Sequence, residues 1–201
     1  MAIVRLALWA AVAVALVVLG AASVGLLPFG PKSPDSAASP GAPLGGAFAL
    51  VDHNGAPVTE AIFREKPSIT LFGFTHCPDI CPTGLMEMTR WAEALGDDAD
   101  GLRFLFVTVD PERDTPETLS IYVSAFSERI IGITGEPDDV MAMTRDYKIF
   151  SRKVPLEGGD YTMDHTASMI LHDADGNFVG TIDTAESHET GLEKLRRLVA
   201  G

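Results

Sequence analysis

The sequence predicts an α/β domain built on a mixed sheet with helices on both faces. Two short, continuously apolar runs, residues 68–74 (SITLFGF) and 103–109 (RFLFVTV), read as strands buried on both sides. Between them, residues 82–95 repeat their apolar positions at helical spacing, which makes the two strands a parallel pair with a right-handed crossover. A hairpin pattern and an amphipathic helix pattern then close the chain. The 201 residues are 46% hydrophobic and 21% charged, a globular composition that can bury a core without disulfide staples.

The N-terminus reads differently. After Arg5, the 22 residues 6–27 carry no charge. At 1.5 Å per residue such a helix is about 33 Å long, enough to cross a hydrocarbon core of ~30 Å. A cleaved signal peptide has a shorter apolar region, about 7–15 residues, followed by small residues. Gly20, Ala22 and Ser23 fit such a cleavage site, yet the length favours an uncleaved anchor. The short leader favours a cytoplasmic N-terminus and an exported remainder. With no Arg- and Ser-rich transit peptide, the expected location is a bacterial inner membrane, single-pass, with the soluble domain in the periplasm. Arg5 and Lys32 are the only charges before residue 34, so the rest carries 13 bases against 28 acids, a net of −15. That surface suits solubility and excludes nucleic acid as the main partner, which needs a basic face.

Residues 28–46 (PFGPKSPDSAASPGAPLGG) are dominated by Pro, Gly, Ser and Ala and read as a flexible tether. The domain is expected over residues 47–201. Residues 48–51 and Val58 flank the turn His53-Asn54-Gly55, a hairpin signal. The helix at 82–95 shows Leu85, Met88, Trp91, Ala92 and Leu95 on one face. Thr115 is the N-cap and Pro116 the first residue of a helix to residue 126. Another helix covers 137–147. Strands at 168–171 and 178–182 flank the turn 173–177, and a last helix at 186–199 shows Leu192, Leu195, Leu198 and Val199. This order fits a thioredoxin-like plan, and other open α/β arrangements fit it almost as well.

The chemistry sits after the first buried strand, in Thr75-His76-Cys77-Pro78-Asp79-Ile80-Cys81-Pro82. It holds the only 2 cysteines of the chain, in the loop from a strand's C-terminal end into a helix, where open α/β sheets bind ligands. Pro82 suits a first helical turn, which puts Cys81 near the N-cap, where the helix dipole favours a thiolate. A disulfide closing so short a loop stabilises little, so redox or metal chemistry is favoured over scaffolding. Two thiolates suit Cu(I) or zinc, but structural zinc almost always takes four protein ligands. Cu(I) needs only one imidazole more. Of the 5 histidines, His53 and His188 are expected in solvent, His172 at the surface, and His76 turned away from its neighbour Cys77. His165 precedes a strand whose entry faces the cysteine loop in a thioredoxin-like fold, and Asp164 beside it could orient the ring.

Three stretches together resemble the Sco/SenC family of membrane-anchored, thioredoxin-like copper chaperones for cytochrome c oxidase assembly. They are Phe72-Gly73-Phe74-Thr75-His76-Cys77-Pro78-Asp79-Ile80-Cys81-Pro82, Val109-Asp110-Pro111-Glu112-Arg113-Asp114-Thr115-Pro116, and Asp164-His165-Thr166. The resemblance implies copper, Cu(I) and also Cu(II), held by Cys77, Cys81 and His165. It further implies delivery to the CuA centre of cytochrome c oxidase subunit II, with an unidentified copper donor and thiol reductant as further partners. The alternative is a thiol-disulfide oxidoreductase that keeps the CuA cysteines reduced, with Cys77 and Cys81 as its redox-active pair. A peroxidase is disfavoured, because no arginine in the motif lowers the thiol pKa. In Asp110-Pro111-Glu112-Arg113-Asp114 the carboxylates are expected to shape the loop and cap the next helix. The stretch from Asp173 to Asn177 is read as a turn rather than a calcium loop.

Overall fold

The computed structural model describes residues 44–201, and before them Trp9 alone. The expected anchor at 6–27, and residues 28–43 of the expected tether, lie outside the described residues. Among the described residues no helix is long and apolar enough to cross a membrane.

Seven strands form one mixed sheet in the order β2-β1-β5-β4-β3-β8-β9. They are β1 (Ala49–Asp52), β2 (Pro57–Thr59), β3 (Ser68–Gly73), β4 (Arg103–Thr108), β5 (Ile130–Thr134), β8 (Met169–His172) and β9 (Phe178–Ile182). The centre is parallel, with β4 between β3 and β5, and the flanks are antiparallel, β1 on β5 and β8 on β3. Every residue of β3 is buried, as a strand covered on both faces requires. Four α-helices cover the sheet: α1 (Ile80–Leu95), α2 (Pro116–Ser124), α3 (Pro137–Asp146) and α4 (His188–Ala200). The parallel centre with an antiparallel hairpin edge and flanking helices is the thioredoxin-like arrangement.

The helix boundaries follow local chemistry. Thr115 Oγ1 accepts from the Thr118 N–H and Pro116 opens α2, while Ser187 caps α4 through Thr190. The helix expected from residue 82 begins earlier, at Ile80, so Cys81 lies inside the first turn. Helices α1 and α4 meet at Trp91, whose Nε1–H donates to the His188 carbonyl at 3.0 Å. Gly191 is required there, because a Cβ would sit 2.3 Å from the Trp91 ring.

Three strands were not expected from the sequence. One is β5, which joins β1 to β4 and makes the hairpin part of the main sheet. The others are β6 (Ser151–Pro155) and β7 (Tyr161–His165), which pair only with each other as a second, two-stranded sheet. Three histidines also differ from expectation. His172 is 1% exposed rather than at the surface, because its partner across β3 and β8 is the buried Ser68. The His53 ring turns inward and Nδ1 accepts the Gly132 N–H at 3.0 Å. His188 pairs with Glu87 and stacks on Trp91.

Candidate metal centre

The cysteine loop leaves the C-terminal end of β3. The Cys77 N–H donates to the Phe74 carbonyl at 3.2 Å, a tight turn that points the chain back into α1. Cys77 is half-buried and Cys81 fully buried; both are free thiols. The first turn of a helix has N–H groups without intrahelical partners. Here the Cys81 N–H, one of them, donates to Cys77 Sγ at 3.4 Å, so the sulfur takes the place of a capping oxygen. Gly73 opens the space for Cys81, since a Cβ on it would lie 2.6 Å from Sγ.

Asp114 secures this loop from below. Its buried carboxylate accepts from the Thr75 N–H at 3.1 Å, Thr75 Oγ1 at 2.6 Å and Thr108 Oγ1 at 2.6 Å. Burial raises its pKa, and these bonds work against that rise. The loop-shaping role expected for this stretch is therefore visible in Asp114. His76 turns to Thr75 Oγ1 at 3.1 Å and takes no part in the thiol group.

His165 arrives from the other sheet. It ends β7, where Tyr161, Met163 and His165 share one face by the two-residue period of a strand. Its Nε2 lies 3.8 Å from Cys81 Sγ, and its Nδ1 lies 2.9 Å from the Thr166 carbonyl. A carbonyl only accepts, so Nδ1 carries a proton; in the neutral ring this leaves the Nε2 lone pair for an ion, and in the protonated ring the Nε2–H donates to the sulfurs. The Phe74 ring meets the imidazole edge-on at 5.6 Å. The expected contact from Asp164 is not the one that orients the ring. Asp164 is exposed and pairs with Arg152 at 3.1 Å, since it alternates to the other face of β7.

The ligand atoms of Cys77, Cys81 and His165 all lie within 4.8 Å of one another. Bonds of about 2.3 Å to sulfur and 2.0 Å to nitrogen, spread in a plane, hold those atoms about 3.7 Å apart. The observed 3.8 Å between sulfur and nitrogen fits one shared ion. The electrostatics are already polarised. Cys77 is lowered to about 3, chiefly because the Cys81 thiol donates to its sulfur, with His165 and backbone N–H groups adding to this against burial. Cys81 is raised, by that same bond, by burial and by the charge of Cys77. Burial pushes His165 down, but its bonds to the Cys77 thiolate and the Thr166 carbonyl outweigh it, and the ring is raised overall. One thiolate, one thiol and one imidazole at this spacing form a soft, partly desolvated donor set.

The family model described as SCO1/SenC matches residues 36–200. The chain belongs to the SCO1/SenC family. It is 41% identical over 160 residues to the mitochondrial protein SCO2 of Saccharomyces cerevisiae, covering 78% of this chain and 53% of that protein. The chain thus spans about half the length of this curated relative. Among solved structures, Bradyrhizobium japonicum ScoI with copper bound is 42% identical with a TM-score of 0.73, over 77% of this chain and 99% of that one. Yeast Sco1 with copper bound is 36% identical with a TM-score of 0.73, over 80% and 90%.

Sequence reasoning did not assign the groups that hold the histidine strand. Tyr161 Oη donates to Asp110 at 2.8 Å, and Arg113 Nη1 donates to the Tyr161 carbonyl at 3.0 Å. The available signal was an Arg between two aspartates in a loop following a buried strand, directly after the site's own strand pair in the sheet.

Proposed function

We propose that this chain binds copper through Cys77, Cys81 and His165 and delivers it to the CuA centre of cytochrome c oxidase subunit II. The observation that carries the reading is the convergence of two sulfurs and one imidazole nitrogen within 4.8 Å. Two thiolates and an imidazole suit Cu(I), which is content with fewer ligands than zinc. Copper is cargo in this reading. It leaves when cysteines of the recipient replace Cys77 and Cys81 one bond at a time. The apolar segment 6–27 and the acidic remainder support a membrane-anchored protein whose domain works on the extracytoplasmic side, in the periplasm of a bacterium.

The test is an anaerobic Cu(I) titration of the reduced full-length chain against a competing chelator. One copper per chain is expected, lost in Cys77→Ser or Cys81→Ser and weakened in His165→Ala. A reduced chain that holds no Cu(I), or holds it without both cysteines, sinks the reading.

A second reading, reduction of the CuA cysteines, is favoured by the lowered Cys77 thiol beside a buried Cys81. Cys77 thiolate would attack the recipient's disulfide and form a mixed disulfide. Cys81, losing its proton, would then displace the recipient's second sulfur as a thiol and leave a Cys77–Cys81 disulfide. An external dithiol must restore it. A His165→Ala chain that loses copper delivery but reduces a model disulfide at the wild-type rate separates the two readings.

A further inference from the structure

The two-stranded sheet that carries His165 shares no strand pairing with the main sheet among the described residues. Side chains hold it instead: Met163 is buried in the core, and the polar contacts converge on one guanidinium. Arg113 Nε donates to Asp110, whose side chain has no exposure, and Nη1 reaches Asp160 at 3.3 Å and the Tyr161 carbonyl at 3.0 Å. The guanidinium carbon sits 3.8 Å over the Tyr161 ring and 5.9 Å over the Phe74 ring. Tyr161 closes the circuit by donating to Asp110, and Lys153 adds an ion pair to Glu112. Tyr161 and His165 lie on the same strand face, four residues apart, and Phe74 packs against the His165 ring.

The next residue does the same for the other half of the site. Asp114 holds the cysteine loop through Thr75, with Thr108 bracing the carboxylate. Neighbouring residues of one short loop therefore hold the histidine strand and the cysteine loop. We infer that Arg113 is a positioning residue for copper binding: it fixes where His165 stands relative to Cys77 and Cys81, with Asp114 as the fixed point of the same frame. A planar fork is needed for this. It must span a carboxylate and a carbonyl and lie flat on an aromatic ring at once, which a lysine ammonium does not.

This rests on the copper reading, so its test has a metal-bound and a metal-free arm. Full-length wild type, Arg113→Lys, His165→Ala and the double variant are titrated with Cu(I), and the Cu(II) forms are examined by electron paramagnetic resonance. Arg113→Lys keeps a cation beside buried Asp110. It is expected to weaken copper about ten-fold, the scale at which groups that orient a ligand act, and to reduce the nitrogen hyperfine signal. Added to His165→Ala it is expected to cost nothing more, because it acts through that ring. Unchanged affinity and spectrum, or a further ten-fold loss in the double variant, overturns the inference. In the metal-free chain, amide exchange across β6 and β7 is expected to quicken while that of residues 75–81 stays as in wild type. Equal exchange in both segments overturns it whatever the metal does, whereas failure of wild type alone to bind copper overturns only the copper reading. If Arg113→Lys does not fold, Tyr161→Phe removes only the hydroxyl bond to Asp110 and carries the same expectations at about three-fold.

Discussion

Cys77 and Cys81 follow β3, a central strand paired on both sides, whereas His165 ends β7, half of a ladder of two strands. The cysteines inherit their position from the backbone of a buried sheet: six residues of β3 with no exposed member. The histidine inherits its position from side chains, Arg113, Tyr161 and Asp110, on a pair of strands of which only Met163 is buried. A backbone ladder is costly to distort, and a side-chain clamp can open without unfolding the domain. The site thus joins a stiff donor pair to an adjustable third donor, a division that suits the proposed holding and release of copper.

The sharpest way to break this contrast is to soften the stiff half. Asp114→Ala strands the Thr75 N–H and two hydroxyls, and a loss of about 3 kcal/mol in urea unfolding is expected, with copper binding falling in parallel. Gly73→Ala pushes a methyl against Cys81 and the Phe106 ring. It should cost about 1–3 kcal/mol as overpacking and weaken copper more than any change on the exposed face of β7.

Acid probes the sheet side as well. Burial holds His172 down to about 4, with its ring against Phe63 at 4.6 Å and neither nitrogen partnered. The folded state therefore binds fewer protons than the unfolded one, whose histidine titrates near 6.5. Stability is fully present above about pH 6.5 and is lost as pH falls towards 4, by about 2 kcal/mol at pH 5. Denaturant midpoints from pH 8 to 4 should show this slope, and His172→Phe should flatten it.

Alkylation separates the two sulfurs. Mass spectrometry after iodoacetamide at pH 5 is expected to find Cys77 modified and Cys81 intact, because the first remains thiolate down to about 3 and the second is buried and raised. Equal labelling would remove the distinction between them. The smallest effect belongs to Asp164→Asn. An exposed pair with Arg152 is worth at most about 0.5 kcal/mol, and copper affinity should stay within two-fold. A large loss there would return Asp164 to the role of orienting the ring.

The stiff half was legible in the sequence because its signals are local. Continuous apolar runs, helix periodicity, Thr115 with Pro116, and two cysteines at a helix start each act within a few residues. The adjustable half was legible only through His165. Its strands read SRKVP and YTMDH, without an apolar period, because Met163 alone among them is buried in the core and polar clamps supply the rest. Strand β5 escaped for another reason. IIGIT is short and broken by Gly132, which is small because Val123, His53 and Leu119 crowd within 3.4 Å of where its Cβ would stand. His172 read as surface from the acidic turn beside it, whereas register across β3 decides its burial. Long-range register has no signature in neighbouring residues, and the clamp shows there only as Arg113 between Asp110 and Asp114.

Cys81 has no exposure, while Cys77 and His165 are partly open to solvent. A protein that receives the ion must approach from that open side, so the buried sulfur is the last to let go. It is also the one whose thiol form is most favoured. In the proposed delivery, Cys81 regains a proton once the ion has gone, and reloading requires that proton to leave. The depth of one sulfur and its bond to the other thereby make loading and unloading respond to the acidity of the surroundings.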